Sequence, residues 1–102
     1  MPTTNELFGT LADPTRRAIF ERLCRDGEQT VRALTDGAGV SQPAVSKHLG
    51  VLKRACLVQG RRAGRQTHYS ARPRGLAPLM DGMGLWGDRS DRLEVLLDRV
   101  HP

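Results

Sequence analysis

The chain has 102 residues, of which 38% are hydrophobic and 26% are charged. This size suits one compact domain, and the balance is that of a globular protein rather than a disordered chain. No apolar run reaches the roughly 18 residues of a membrane-spanning helix, and the first residues lack the basic-then-apolar order of a secretory signal. We therefore expect a cytoplasmic protein whose two cysteines, Cys24 and Cys56, remain reduced thiols.

The positive charge is concentrated in the middle of the chain. The formal net charge is +5. Residues 37–80 contain eight Lys or Arg and no Asp or Glu, whereas residues 1–36 and 81–102 have a slight excess of acidic residues. Such a block can be a solvated face that arose by chance. It is more typical of a surface that contacts a polyanion, most often nucleic acid.

Two helices are predicted at the start of the chain. The first covers residues 4–11, and its apolar face consists of Leu7, Phe8 and Leu11. Asp13 is the predicted N-cap of the second helix, with Pro14 as its first residue, where a missing N–H costs nothing. Gly27 is the residue that ends this second helix.

Residues 30–55 are predicted to form a helix-turn-helix. Thr30 is the N-cap of a short third helix, and Ser41 is that of a fourth helix, which runs to about Ala55. Between the two helices, residues 36–40 read Asp-Gly-Ala-Gly-Val, a turn rich in residues that tolerate positive φ. Two short helices joined by such a turn form a helix-turn-helix.

A β-hairpin and a last helix complete the pattern. β-prone residues at 57–59 and 66–70 flank a polar, basic tip at 60–65, which predicts a hairpin over about 57–70. Helical spacing returns over about 76–100, with glycines that indicate a kink or a late start. The fold class is therefore mainly α, with about five helices and a small β-hairpin.

The fourth helix has one apolar stripe and one small, cationic face. The stripe that must face the core consists of Val45, Leu49 and Leu52. The opposite face carries Pro43, Lys47, Gly50 and Arg54. Short side chains permit a close approach to a DNA major groove, where Gln42, Ser46 and Lys47 can bond base edges or phosphates.

Three features each have more than one interpretation. His48 lies at the margin of the buried stripe, so it is either a partly buried side chain with one hydrogen bond or a DNA contact, and a metal ligand fits less well. In the middle of a helix, glycine at position 50 lowers stability by about 1 kcal/mol relative to alanine. Gly50 either lets a DNA strand approach closely or has no function and arose by mutational drift. The arginines of the hairpin tip either keep a loop soluble or contact phosphates or the minor groove. These arginines are Arg61, Arg62 and Arg65.

Several of these segments resemble the arsenic-repressor (ArsR) family of bacterial winged-helix regulators. They are Leu-Ala-Asp-Pro-Thr-Arg-Arg at 11–17, Ser-Gln-Pro-Ala-Val-Ser-Lys-His-Leu at 41–49, Leu-Lys-Arg-Ala-Cys-Leu-Val at 52–58, and the wing-like pairs at 64–65 and 69–70. The resemblance covers roughly residues 5–100. It implies a single winged helix-turn-helix domain over 1–102 and a homodimer that pairs its first and last helices. Such a dimer represses transcription at a roughly palindromic operator until a signal releases it.

The resemblance also assigns roles to residues by position. The residues placed in or beside the major groove are Ser41, Gln42, Ala44, Ser46, Lys47 and His48. Arg61, Arg62 and Arg65 would serve the wing, and Arg54 extends the cationic face of the fourth helix as a further DNA contact. The implied partner is double-stranded DNA, which places the protein at the nucleoid in a bacterial cytoplasm.

The sequence departs from the metal-sensing members of this family. Those members carry paired cysteines on the helix that here reads Val-Arg-Ala-Leu-Thr at 31–35, and others bind metal on the last helix, which here offers only His101. Because no set with metal-ligand spacing remains, we expect neither a metal nor another cofactor. Cys56 stands at a helix end where the family usually has glycine in a left-handed conformation, so a mildly strained backbone is expected there.

The main hypothesis is a sequence-specific DNA-binding repressor without bound metal. One alternative is a redox or electrophile sensor of the same fold that uses Cys24 or Cys56, although lone cysteines are more often buried small hydrophobes. Another is a protein-interaction module that has lost DNA binding. An enzyme is not indicated, because no Gly-rich phosphate loop, catalytic carboxylate pair or Ser/His/Asp set can be assembled.

A dimer interface is predicted from apolar residues that the core does not need. The helix-turn-helix core is already supplied by Ile19, Leu23, Leu34, Val45, Leu49 and Leu52. The apolar faces of the first and last helices then have few residues of their own chain to pack against. At about 25 cal/mol per Å² of apolar surface, leaving these faces exposed to water would cost several kcal/mol. The predicted interface comprises Leu7, Phe8, Leu11, Trp86, Leu93, Leu96, Leu97 and Val100.

Overall fold

The computed structural model describes residues 2–83, with side chains for residues 2–80. This part of the chain contains five α-helices and one three-stranded antiparallel sheet. The elements are α1 (Thr4–Ala12), α2 (Pro14–Asp26), β1 (Gln29–Thr30), α3 (Val31–Thr35), α4 (Gln42–Arg54), β2 (Val58–Ala63), β3 (Gln66–Ala71), a 3₁₀ turn (Pro73–Leu76) and α5 (Ala77–Met83). The predicted fold class, mainly α with a small β-hairpin and about five helices, is confirmed.

The second helix begins and ends at the predicted residues. The Asp13 carboxylate accepts a hydrogen bond from the backbone N–H of Arg16 at 3.0 Å, and Pro14 is the first residue of α2. Gly27 ends the helix with a φ of 82°, a left-handed conformation that glycine adopts without a steric penalty.

Helices α3 and α4 form the predicted helix-turn-helix. The hydroxyl of Thr30 accepts a hydrogen bond from the N–H of Ala33 at 3.1 Å, which caps α3. The hydroxyl of Ser41 accepts one from the N–H of Ala44 at 3.3 Å, which caps α4. In the turn between the helices, Gly39 has a φ of 71°. Both predicted caps are confirmed.

A close backbone contact joins the end of α4 to the segment before α5. Cys56 follows α4 with a φ of 62°, so the predicted left-handed backbone is confirmed. A Cβ atom on Gly75 would lie 2.9 Å from the carbonyl carbon of Cys56 and nearer still to its oxygen. The N–H of Arg72 donates to the carbonyl of Leu57 at 2.7 Å. The exit of the hairpin is therefore fixed to the end of the fourth helix.

The hydrophobic core already includes part of the predicted dimer interface. Leu7 and Leu11 are both 0% exposed, because α1 packs against α2 and α5. The prediction that these two leucines lack packing partners within their own chain is therefore wrong. Phe8 is partly buried against the same core. The predicted interior residues of the other helices are all buried, and these are Ile19, Leu23, Leu34, Val45, Leu49 and Leu52.

The sheet has the order β1-β3-β2, and β2 and β3 form the predicted hairpin. Their register runs from Val58 opposite Ala71 to Ala63 opposite Gln66, so only Gly64 and Arg65 form the tip. The predicted tip at 60–65 was too long, because four of its residues belong to β2. β1 was not predicted, and it pairs antiparallel with β3.

Helix α5 begins at Ala77, one residue after the predicted start. The remaining predicted interface residues lie outside the described part of the chain, and they are Trp86, Leu93, Leu96, Leu97 and Val100. Within residues 2–83, none of the helices combines the length and apolar character needed to cross a membrane.

Candidate nucleic-acid interface

Helix α4 presents its polar face to solvent and its apolar stripe to the core, as predicted. The stripe residues Val45, Leu49 and Leu52 are each 0% exposed. On the other side of the helix, Gln42, Ser46 and Lys47 are exposed. The orientation of α4 is therefore fixed by its own hydrophobic pattern, and the polar side chains near its N-terminus are free to contact a ligand.

The polar face of α4 is bordered by two different surroundings. Gln42 and Ser46 line a cleft between this helix and the hairpin. Ala44 and His48 lie on the other flank of the helix and are half-buried. The set predicted to enter the major groove is thus divided, and only the flank with Gln42 and Ser46 faces the hairpin.

The helix–wing cleft, as we name the space between α3, α4 and the β2–β3 hairpin, has a volume of about 590 Å³. Its lining residues are Thr30, Val31, Arg32, Gln42, Ser46, Arg65, Gln66, Thr67 and Tyr69. None of these carries a carboxylate, while Arg32 and Arg65 contribute two guanidinium groups. The cleft thus offers cationic and neutral hydrogen-bonding groups to a polyanion.

Sequence reasoning missed Arg32 and Thr67 as candidate contacts. Arg32 is an exposed residue of α3, and it has no ion-pair partner among the side chains of residues 2–80. Its signal in the sequence was a cation at an outward position of the short third helix. Thr67 gave no signal, because its position in the cleft follows from the strand register.

The three arginines of the wing, the β2–β3 hairpin, do not share one face. Arg62 lies opposite Thr67 and Arg61 lies opposite His68, so the two arginines point to different sides of the sheet. Thr67 lines the helix–wing cleft, which places Arg62 on the cleft side. Arg61 points away from the cleft and binds the carboxylate of Glu28 at 2.7 Å.

The wing is tightly packed at Gly60. A Cβ atom on Gly60 would lie 3.2 Å from Cγ2 of Thr67 and 3.2 Å from Cε1 of Tyr69. The missing side chain leaves room for Thr67 and Tyr69 on the cleft side of the sheet. At the tip, Gly64 has a φ of 63°, so the two-residue turn presents Arg65 beside the cleft.

His48 is turned toward the junction of α1 and α2. Its Nδ1 atom is buried and has no hydrogen-bond partner among the described residues. The backbone hydrogen bond from Arg16 holds the pKa of Asp13 below its usual value, and the proximity of His48 is a smaller contribution to the same shift. The one hydrogen bond expected of a partly buried His48 is therefore not made by Nδ1 within the described residues, and its contact with DNA stays a prediction.

Two further predicted contacts, Ser41 and Arg54, lie at the two ends of α4. Ser41 is exposed, but its hydroxyl is used to cap α4. Arg54 is exposed at the end of the helix, and its Nη1 atom lies 3.7 Å from where a Cβ on Gly50 would be. Among the described residues no other atom outside the helix backbone lies within 4 Å of that position, so nothing in the packing of that part of the chain requires glycine there.

The two thiols differ in their surroundings. Burial, with a smaller contribution from the charge of Glu21, raises the pKa of the Cys24 thiol to about 11. Because the thiolate is the reactive form, this shift disfavours Cys24 as a redox sensor. Cys56 is exposed. Among the described residues, His, Cys, Asp and Glu form no cluster of three that could hold a metal ion.

Comparison with known proteins gives a consistent result. A family model described as a helix-turn-helix domain matches residues 11–61. The HTH-type transcriptional regulator Rv2034 of Mycobacterium tuberculosis is 54% identical over 69 residues, which make up 68% of this chain and 64% of that protein. The matched segment thus spans just under two thirds of that relative. The transcriptional repressor SdpR of Bacillus subtilis is 35% identical over 66 residues, or 65% of this chain and 72% of SdpR.

A solved structure shares both the fold and the sequence pattern. The crystal structure of a possible transcriptional regulator for arsenical resistance aligns with a TM-score of 0.68 and 40% identity, covering 86% of this chain and 92% of that one. The similarity therefore extends beyond the helix-turn-helix to most of the chain.

Proposed function

The chain belongs to the ArsR family of winged helix-turn-helix transcriptional regulators, and on that premise we propose that it is a repressor which binds a palindromic operator as a homodimer without bound metal. The family consists of regulators and not of enzymes. DNA-binding regulation is common to the relatives. The operator symmetry, the dimer, the metal-free state and a cytoplasmic location at the nucleoid are the parts that we propose for this chain.

The helix–wing cleft is the observation that carries the proposal. Helix α4 has 13 residues, and a helix of that size is about 20 Å long. In the proposed complex, the exposed start of α4 enters the major groove, where Gln42, Ser46 and Lys47 contact base edges. The DNA backbone then runs beside Arg32 of α3 and Arg65 of the wing tip, which contact phosphates.

Selection of DNA sites by the purified chain tests this function. We expect enrichment of duplexes in which two copies of a short motif are arranged as an inverted repeat, with centres about 10 base pairs apart. If the selected pool keeps the base composition of the starting library, the chain does not read DNA sequence. The protein-interaction module without DNA binding would then be the better account.

Arg62→Ala is expected to weaken binding to all duplexes alike. Arg62 lies on the cleft side of an exposed strand, and we propose that it contacts a phosphate. Its loss should therefore make the negative slope of log K against log salt concentration shallower by about 1 per contact. Fluorescence anisotropy at several salt concentrations measures both quantities. Arg25→Ala on α2 removes an equal charge outside the proposed interface and should leave the slope unchanged. A changed base preference in Arg62→Ala would contradict the phosphate role.

The chain is expected to be a homodimer at micromolar concentration. Leu93, Leu96, Leu97 and Val100 repeat at helical spacing and form an apolar stripe in the sequence. A two-fold axis through such a stripe would hold the two α4 helices roughly 34 Å apart, one turn of DNA. Charging the stripe with Leu93→Glu and Leu96→Glu should give monomers that lose cooperative operator binding.

Sedimentation velocity distinguishes the two oligomeric states. Val95→Glu is the matched control, because the same spacing places residue 95 nearly opposite the stripe, and it should remain dimeric. A wild-type chain that sediments as a monomer at tens of micromolar would contradict the proposed interface.

DNA binding is expected to be independent of metal ions. Among residues 2–80, whose side chains the structure describes, there is no group of three metal-ligating side chains, and a tetrahedral zinc site needs three or four protein ligands. After dialysis with Zn²⁺ we expect less than one tightly bound ion per chain, measured by elemental analysis, and no change in DNA affinity on addition of a chelator. A stoichiometric zinc whose removal changes the affinity would overturn this prediction.

A further inference from the structure

A cluster of three side chains lies on the sheet face that points away from the helix–wing cleft. Nη2 of Arg61 donates to Oε1 of Glu28 at 2.7 Å, and its Nε donates to Oε2 at 3.4 Å. Nδ1 of His68 lies 3.6 Å from the same Oε1 atom. The guanidinium therefore engages the carboxylate with two nitrogens, an arrangement that fixes direction as well as distance.

The ion pair crosses the whole width of the sheet. Glu28 directly precedes β1, Arg61 is on β2, and β3 lies between these two strands. His68 of β3 is the cross-strand neighbour of both Arg61 and Thr30. The ion pair between Arg61 and Glu28 therefore spans β3 at the position of His68. The two outer strands are thus tied together by side chains in addition to their hydrogen bonds with β3.

The side of the sheet that carries Glu28 is also linked directly to the helix-turn-helix. Glu28 follows Gly27, which ends α2, and β1 continues without interruption into α3. Thr30 is both the last residue of β1 and the N-cap of α3. A bond from Glu28 to the wing therefore fixes the wing relative to the helices that carry Arg32 and Gln42.

We propose that Glu28 is a positioning residue that holds the wing through Arg61, so that Arg62 and Arg65 reach the DNA backbone at the same time as helix α4. We call the ion pair between Glu28 and Arg61 the strap. Arg61 then belongs to the strap and not to the phosphate contacts, contrary to its assignment from the sequence. The proposal rests on the proposed function, because it concerns how the same interface is arranged.

The chemistry of the pair supports this assignment. The hydrogen bond from Arg61 holds the pKa of Glu28 below its usual value, and the same bond raises the pKa of Arg61. Both groups therefore stay charged at neutral pH. A phosphate brought to Arg61 would meet the Glu28 carboxylate on the same face, and like charges repel at that distance. Arg62, on the other face, has no carboxylate partner among the described residues.

Two single variants distinguish a positioning ion pair from a DNA contact, because the two models predict opposite changes in affinity for Glu28→Gln and different salt dependences for Arg61→Gln. If Arg61 touched a phosphate, Glu28→Gln would free it and raise DNA affinity, while Arg61→Gln would lower both the affinity and the salt slope. If the pair is a strap, each variant lowers affinity by about two- to fivefold, in line with the small effect of an exposed ion pair. The salt slope then stays at the wild-type value in both variants.

The remaining variants complete a double-mutant cycle. Under the proposal, Glu28→Gln combined with Arg61→Gln is no weaker than either single variant, and the exchanged pair Glu28→Arg with Arg61→Glu recovers affinity to within about twofold of wild type. Arg62→Gln changes the cleft side of the same strand and is the control, in which the dependence of affinity on salt concentration should become weaker. Thermal unfolding followed by circular dichroism checks that all variants are folded.

Hydrogen exchange of the DNA-free protein tests the strap separately from DNA binding. We expect the wing amides in β2 and β3 to exchange about two- to fivefold faster in both single variants and at the wild-type rate in the exchanged pair. Wing exchange that is unchanged in Glu28→Gln, or higher DNA affinity in that variant, would overturn the proposal. A wild-type chain that binds no DNA would refute the proposed function instead, and the exchange rates would still show whether Glu28 holds the wing.

Discussion

Replacing Gly75 with alanine is expected to destabilise the folded chain by about 3 kcal/mol or more, which is the upper range for an added group with no space. The new Cβ atom would lie 2.9 Å from the carbonyl carbon of Cys56 and closer to the oxygen, and 3.1 Å from Cδ2 of Leu57. The first two atoms belong to the backbone and cannot rotate away. The end of α4 and the 3₁₀ turn would therefore have to separate, although the Arg72–Leu57 hydrogen bond holds the adjoining segments together.

Urea denaturation of Gly75→Ala and Gly50→Ala measures this effect with its control. Gly50 lies inside α4, where the one described atom outside the helix backbone that an added Cβ would meet is Nη1 of Arg54, at an ordinary 3.7 Å. Alanine at position 50 should therefore stabilise the chain by up to about 1 kcal/mol through its higher helix propensity. Equal denaturation midpoints for Gly75→Ala and wild type would show that the two backbone segments are not in close contact.

Lys47→Ala is expected to lower affinity for the selected operator by about 1–3 kcal/mol, or roughly 5- to 150-fold, if the ammonium group contacts a base edge. Lys47 is exposed and lies on the face of α4 opposite the buried stripe. Its removal leaves the core untouched, so stability should change little. Affinity for a scrambled duplex should fall much less than affinity for the operator, because the lost contact depends on the sequence.

Competition between operator and scrambled duplexes measures this loss of discrimination. Arg25→Ala on α2 removes a similar exposed charge from outside the interface and should leave the ratio of the two affinities at its wild-type value. If Lys47→Ala weakened both duplexes by the same factor, Lys47 would be a phosphate contact. The reading of bases would then have to come from other residues of α4.

The helices could be predicted because their signals are local. Asp13, Thr30 and Ser41 each cap the helix that follows them, and their hydroxyl or carboxylate oxygens bond an N–H three residues later. The apolar stripe of α4 defined its buried face without any knowledge of its neighbours. Capping and helical periodicity depend on residues within a few positions of one another.

The sheet was harder to predict because strand pairing is not local. β1 has only two residues, and its partners in β3 are some 40 positions away along the chain (Thr30 lies opposite His68). β2 is exposed at four of its six residues, so it lacks the alternation that marks a half-buried strand. Its polar residues were therefore assigned to the hairpin tip.

Non-local contacts also separate residues that the sequence grouped together. Arg61 and Arg62 are adjacent in sequence, but successive side chains of a strand point to opposite faces, so they lie in different surroundings. The burial of Leu7 and Leu11 depends on α2 and α5, which pack against them from later in the chain. Charge composition pointed to a basic surface within residues 37–80, but it did not include Arg32 of the helix–wing cleft, and it could not separate contacts from supporting residues.

The salt dependence of operator binding is the measurement that tests the central claim most directly. If Arg32, Arg62 and Arg65 of each protomer contact phosphates, a dimer makes six such contacts, and its affinity for the selected duplex should fall by about 10³ between 50 and 200 mM salt. The operator should be bound at least about 10³-fold more tightly than a scrambled duplex at the same salt concentration. Equal affinity for the two duplexes, or an affinity that salt does not change, would contradict the account of the helix–wing cleft as a sequence-reading DNA interface.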